Sequence, residues 1–250
     1  FQQEKQVIEF GSSFGSFNNR SNFLKLSSKI NRIHTSFKFY HQNLANNFKF
    51  LNQDDNLSSQ TNSNSKQIAL MADLMIPITK KGTIDFTYFG QKLERQIPPT
   101  LFEGPSNAIQ NDDNHRIFLN FKYLLNHGLI FIKSAYYNEK NVFSDTSKSI
   151  YGYNPGESFI NQLEDQASIY KKHQFTLNIT QANSNSKGNN FNNSVNINRT
   201  SFTNSISINS KHGWKHLLNT RTVIDQRKVN PLTFSYGVNK SFNDKLSLFS

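Results

Sequence analysis

Two pairs of adjacent acids, Asp54 with Asp55 and Asp112 with Asp113, are the strongest candidates for metal chemistry in this 250-residue chain. Each pair falls in a polar stretch, residues 44–65 and 92–113, that reads as a long loop. Paired carboxylates and loop carbonyls together can hold calcium, which takes about six to eight oxygen ligands. The spacing of a dedicated calcium loop is absent. The four acids therefore stand as calcium candidates against the plainer reading of solvated loop acids, and no metal site is assigned. His212 and His216 have a zinc spacing only on a helix, and their surroundings read as a turn and a strand. Ser, His and Asp are plentiful, but no GxSxG elbow places a nucleophile. Gly11 and Gly15 precede no helix and so form no phosphate loop. The chain has no cysteine, which excludes disulfides, zinc ribbons and thiol nucleophiles. No enzyme and no cofactor are expected.

The elements around these residues are strands. Only 35% of residues are hydrophobic, yet 23 are Phe. A chain rich in aromatics, Asn and Ser but poor in helix formers suggests long strands with one apolar face rather than disorder. The clearest unit is residues 114–137, NHRIFLNFKYLLNHGLIFIKSAYY. Ile117, Leu119, Phe121 and Tyr123 alternate with Arg116, Phe118, Asn120 and Lys122. After a turn at Asn126-His127-Gly128, Ile130, Ile132, Ser134 and Tyr136 alternate with Phe131, Lys133 and Tyr137. Successive strand residues point to opposite faces, so this is a hairpin with one apolar and one charged face.

The unit recurs along the chain. Short turns are expected near residues 29–31, 80–82, 126–128, 170–172, 211–213 and 239–244. Long polar connections are expected at 44–65, 92–113 and 138–156, a Gly/Ser-rich one at 12–19 and a mobile Asn/Ser-rich one at 183–199. Residues 67–78 read as a strand rather than a helix, because Pro77 and the alternation outweigh the helix-forming LMADLM. About thirteen strands in up-and-down order follow.

Lys25, Lys38, Asp85, Lys122 and Lys133 sit at mid-strand on the polar face. Unpaired charges do not sit in a dry core, but they can line a wet lumen. Polar-inward, apolar-outward strands with short turns at one end and long loops at the other describe an all-β, antiparallel, up-and-down transmembrane β-barrel. A soluble sandwich or a propeller would not alternate its loops this way. The net charge of +11 comes from dispersed Lys and Arg, so no nucleic-acid partner is expected. Tyr40, Tyr88, Tyr123, Tyr136, Tyr236 and Trp214 are candidates for interfacial girdles.

Several stretches resemble TonB-dependent outer-membrane receptors, loosely from end to end. IEFGSSFGSFNN (residues 8–19) resembles the opening barrel strands that follow the family's plug. Asn46-Asn47-Phe48-Lys49-Phe50 stands where an NDFPF-like motif is usual. Residues 97–121 are similar to the family's IPG…A…Q.D…R…L loop and strand, and residues 229–250 to its nP…s.G..y hairpin. Lys49 replaces the usual Pro, and Pro99 stands where Gly is usual. The nearest subgroup is the vitamin B12 (cobalamin) receptor-like one, in which loop acids hold calcium.

The resemblance implies that residues 1–250 are one partial barrel domain. It would be the first half or so of a barrel of about 22 strands, lacking its plug and last strands. It implies a bacterial outer-membrane protein in contact with outer-membrane lipid, importing a bulky nutrient such as cobalamin or an iron chelate. Energy would come from a TonB-type coupling protein acting through the plug. A passive porin-like barrel and a secreted soluble adhesin or glycan-binding module are the alternatives.

Overall fold

The computed structural model describes residues 6–51, 56–99, 106–169, 173–189, 194–210, 213–226, 228–243 and 246–249. Sixteen strands appear in chain order: β1 (Gln6–Gly15), β2 (Asn19–Ile30), β3 (Ile33–Leu44), β4 (Lys49–Leu51), β5 (Leu57–Ser59), β6 (Ser65–Pro77), β7 (Gly82–Ile97), β8 (Ala108–Leu125), β9 (Gly128–Asp145), β10 (Ile150–Ile169), β11 (His173–Ser186), β12 (Val195–Asn209), β13 (Trp214–Asp225), β14 (Lys228–Val229), β15 (Thr233–Asn243) and β16 (Leu246–Phe249). Thirteen follow one another in a single sheet in chain order, with β14 appended to β13. The remaining two, β4 and β5, form a small hairpin of their own between β3 and β6. Each described pairing is antiparallel, so the architecture is a partial up-and-down barrel wall.

The two hairpins on which the register depends are in place. Pro77 pairs with Thr83 and Gln67 with Leu93, so the stretch expected at 67–78 is a strand, ending at Pro77. Leu125 pairs with Gly128, Phe121 with Ile132 and Ile117 with Tyr136. Gly128 is needed there because a Cβ would lie 2.1 Å from the Gln166 carbonyl oxygen of β10. Directly opposed residues share a face, so one apolar row can be followed across five strands: Ile76, Ile84, Phe121, Ile132 and Leu163. Ile117, Leu119, Phe121, Ile130 and Ile132 all lie on that face.

The strands are longer than the alternation suggests. The proposed connection at 12–19 is strand as far as Gly15. The expected loop at 92–113 shrinks to the residues between Ile97 and Ala108. The expected loop at 138–156 is almost wholly strand, with β9 and β10 turning through residues 146–149. The Asn/Ser-rich stretch is also paired in large part, Asn183 opposite Asn198 and Asn185 opposite Asn196. At that end of the sheet both faces are polar, so the pairing persists after the alternation has vanished. The strands β8, β9 and β10 reach 18, 18 and 20 residues. Crossing a bilayer takes only about 9–11.

The sheet has almost no core. Among the described residues, Ala108 is the one buried hydrophobic residue, and no large side chain is fully buried. Ile8, Phe10, Leu26, Phe37, Ile68, Leu119, Ile132, Leu163, Leu218 and Phe234 stand exposed on the apolar face. In water this much contiguous apolar surface is unfavourable, at about 25 cal/mol per Å².

Candidate functional site

The polar face is where the chain's charges meet. Four of its ion pairs each tie adjacent strands: Lys25–Glu9 at 2.9 Å across β1–β2, Arg116–Glu139 at 2.7 Å across β8–β9, Lys133–Glu164 at 2.9 Å across β9–β10 and Arg199–Asp225 at 2.7 Å across β12–β13. Lys25–Glu9 and Arg199–Asp225 join directly opposed residues. The other two are diagonal, which long side chains span easily. Neutral groups continue the ladder. Thr87 donates to Asp73 at 2.9 Å and Asn120 to Asp85 at 3.2 Å. Such a face neutralises its charges sideways, within the wall, and remains polar toward whatever lies in front of it.

Aromatic rings are set among these charges. The Arg116 guanidinium lies 5.7 Å from the Phe89 ring centroid and 5.9 Å from that of Tyr137. Tyr137 meets Phe118 edge-on at 5.7 Å. Lys122 and Lys133 lie 5.7 and 5.1 Å from the Phe131 ring. The result is a patch of cations and rings at the middle of the sheet, on β7, β8 and β9. Cations over rings attract through the ring quadrupole. Half-buried except for the exposed Lys122, they offer both charge and flat apolar area to a ligand.

The long-loop end forms a rim. The Asn62 side-chain amide donates to the Ile97 and Ala108 carbonyls at 2.7 and 2.9 Å, holding the β3–β6 connection against the ends of β7 and β8. Asn189 caps the edge of β10, accepting from the Tyr153 amide at 2.7 Å and donating to the Tyr151 carbonyl at 3.2 Å. Asp145 closes the β9–β10 turn. Hydrogen bonds from the Ser147 hydroxyl and amide hold its carboxyl below the usual 3.8.

The calcium candidates fare unequally. Asp54 and Asp55 lie outside the described residues. Asp112 and Asp113 are in β8, not in a loop, and neighbouring strand residues face opposite ways. Asp112 lies on the polar face and receives amide hydrogens from Asn141 and Gln110. Asp113 lies on the apolar side of the sheet, 3.1 Å from His115 Nε2. The two carboxylates do not converge. His212 lies outside the described residues, while His216 Nδ1 meets the Tyr236 hydroxyl at 2.7 Å.

Of the girdle candidates, Tyr88, Tyr123, Tyr136, Tyr236 and Trp214 share the apolar face. Tyr40 does not: it opposes Phe23 and Ala69 on the polar face. Tyr88 leans across Gly90 to reach His115 Nδ1 at 2.8 Å, in space a Cβ on Gly90 would fill, 2.6 Å from the hydroxyl. Sequence reasoning missed Arg116–Glu139, because Glu139 fell in the proposed loop. A strand register carried past Tyr137 would have placed it.

No protein-family profile and no curated protein matches the sequence. Solved structures do, at the level of fold, and the fold is that of outer-membrane receptor barrels. The siderophore receptor PiuA from Acinetobacter baumannii superposes with a TM-score of 0.76 at 9% identity, covering 97% of this chain and 48% of that one. The ferric yersiniabactin uptake receptor FyuA from Yersinia pestis gives 0.73 at 10% identity, covering 99% and 46%. The alcaligin outer-membrane receptor FauA from Bordetella pertussis gives 0.69 at 9% identity, covering 97% and 42%. The chain thus spans less than half the length of each.

Proposed function

We propose that the chain is part of an outer-membrane, TonB-dependent receptor that imports a bulky metal chelate, with residues 1–250 forming one stretch of its barrel wall. The observation that carries this reading is the pairing of two unlike faces on one coreless sheet. One face is largely apolar and exposed, suited to lipid. The other is ion-paired and wet, suited to a lumen. A secreted adhesin would need the apolar face buried against a second layer. The cation–aromatic patch favours a ligand-handling lumen over a passive pore.

The structural neighbours are siderophore receptors, which favours an iron chelate over cobalamin. Transport then breaks no bond. The ligand is captured at the long-loop rim, and energy delivered from the inner membrane releases it inward. The test uses the intact protein in planar bilayers and in ferric-chelate binding assays. Saturable binding of a ferric chelate without open-channel conductance is expected. Steady conductance without binding would sink the proposal in favour of a porin.

A further inference from the structure

At the short-turn end, the polar face holds a groove of about 800 Å³. Its strand lining shares a face with Lys122: Pro77 opposes Thr83, Thr83 opposes Lys122, and Leu124 opposes Leu129. Four cations border it, namely Lys122 on β8, Arg32 from the β2–β3 turn, and Lys80 and Lys81 from the β6–β7 turn. All four are exposed. Among the described residues none of them makes an ion pair. Lys122 is directly opposed by Thr83 and Phe131, not by an acid. Asp85 is the one acid among the described lining residues, and it accepts from Asn120 at 3.2 Å. It lies one diagonal from Lys122, so even a switch of partner would leave three cations unanswered. The next acid, Asp73, takes a hydrogen bond from Thr87 and lines a separate groove that Lys29 shares. The β6–β7 turn is braced: the Lys81 amide donates to the Thr79 hydroxyl at 3.1 Å, and the Lys81 ammonium to the Asn126 side chain at 3.0 Å.

We propose that this groove is a second ligand station, at the inward exit of the lumen, for a bulky chelate carrying several negative charges. The inference rests on the receptor reading above, which puts the short turns at the inward mouth. Three features select the ligand. The groove is cationic and short of acids, so a neutral chelate would leave its charges unanswered. The cations come from two turns and a strand, which suits several separated anionic groups better than one. The volume is that of a small-molecule pocket, about 300–1,000 Å³, and far exceeds what a lone phosphate fills. Met75, Pro77, Leu124 and Leu129 add apolar lining for the organic part of the ligand. Arg32 can grip a carboxylate or a pair of catecholate oxygens with two parallel hydrogen bonds. Because the cations are exposed, their hold is modest, and a ligand drawn to the exit can also leave it.

The test measures saturation binding of two radio-iron chelates to the intact protein in nanodiscs, where both mouths meet solution. One is a trianionic ferric tricatecholate, the other a neutral ferric trihydroxamate. The tricatecholate should bind in two components, a tight one at the long-loop rim and a weaker, salt-sensitive one at the exit. The trihydroxamate should lack the second. An exposed contact between unit charges is worth about fivefold, so Arg32→Gln combined with Lys80→Gln should weaken the second component roughly 25-fold. The tight component should not change. Arg32→Lys combined with Lys80→Arg keeps the charge and should keep the second component. Lys92→Gln combined with Lys140→Gln, an equal loss of charge on the opposite face, should keep it too. A second component that survives the Arg32 and Lys80 glutamine pair would overturn the inference. So would its loss in the charge-keeping pair or in the Lys92 and Lys140 pair, or its displacement by equimolar orthophosphate. A tight component alone would sink this inference and leave the receptor reading standing, whereas no binding of either chelate would count against both.

Discussion

Leu119 and Lys122 are three residues apart on β8 and face opposite ways, so substitutions at the two separate the faces energetically. Leu119 opposes Phe86 and Ser134 on the apolar face and is 45% exposed. The apolar stretch of β8 runs from Leu125 to Ile117, which puts Phe121 at its middle. Leu119 is two residues from that point, about 5 Å in depth after allowing for a tilt near 45°. Leu119→Arg would place a guanidinium in hydrocarbon. The cost is about 2–4 kcal/mol at the midplane and falls toward the interface, so roughly 2–3 kcal/mol is expected here. Lys122 opposes Thr83 and Phe131, and its ammonium rests 5.7 Å from the Phe131 ring. Lys122→Leu removes a wet charge and a cation–ring contact, worth about 0.5–1 kcal/mol together. The assay is reversible unfolding of the intact protein from lipid bilayers. Equal costs, or a larger cost for Lys122→Leu, would show that the faces are misassigned.

Gly128→Val should disrupt the β9–β10 pairing, because its Cβ would meet the Gln166 carbonyl; a loss of roughly 1–3 kcal/mol is expected by the same unfolding assay, and no loss would mean the strands sit farther apart. The β9–β10 turn should loosen in acid. Its Asp145 carboxyl titrates below the usual 3.8, so the stabilisation is complete above that value and disappears as pH falls through the lowered one. The protection factor of the Ser147 amide should hold from neutral down to about pH 4 and then drop. Loosening already near pH 6 would contradict this assignment.

The hairpin around Asn126 was legible because its two faces carry unlike side chains, apolar on one and charged on the other, which gives residues 117–136 a period of two. The strand continuation through Asn138, Glu139, Lys140 and Asn141 was not, because polar residues stand on both faces there and no alternation marks the strand. Asn183 to Ser186 and Val195 to Asn198 were hidden for the same reason. The charged face was legible as a set of lysines, but their partners were not. Lys133–Glu164 is a diagonal between strands, fixed by register rather than by sequence spacing. Asp112 and Asp113 looked like a donor pair only while they were taken for a loop; a strand sends them apart.

The most direct test of the two-faced wall is a spin-label scan of residues 117–123 in the intact protein, reconstituted in bilayers. Collision with lipid-soluble oxygen and with a water-soluble nickel chelate is measured at each position. Positions 117, 119, 121 and 123 should favour oxygen, and 118, 120 and 122 the nickel chelate, with a period of two. A uniform profile, or the reverse phase, would contradict a lipid-facing Ile117–Tyr123 row and the transport barrel built on it.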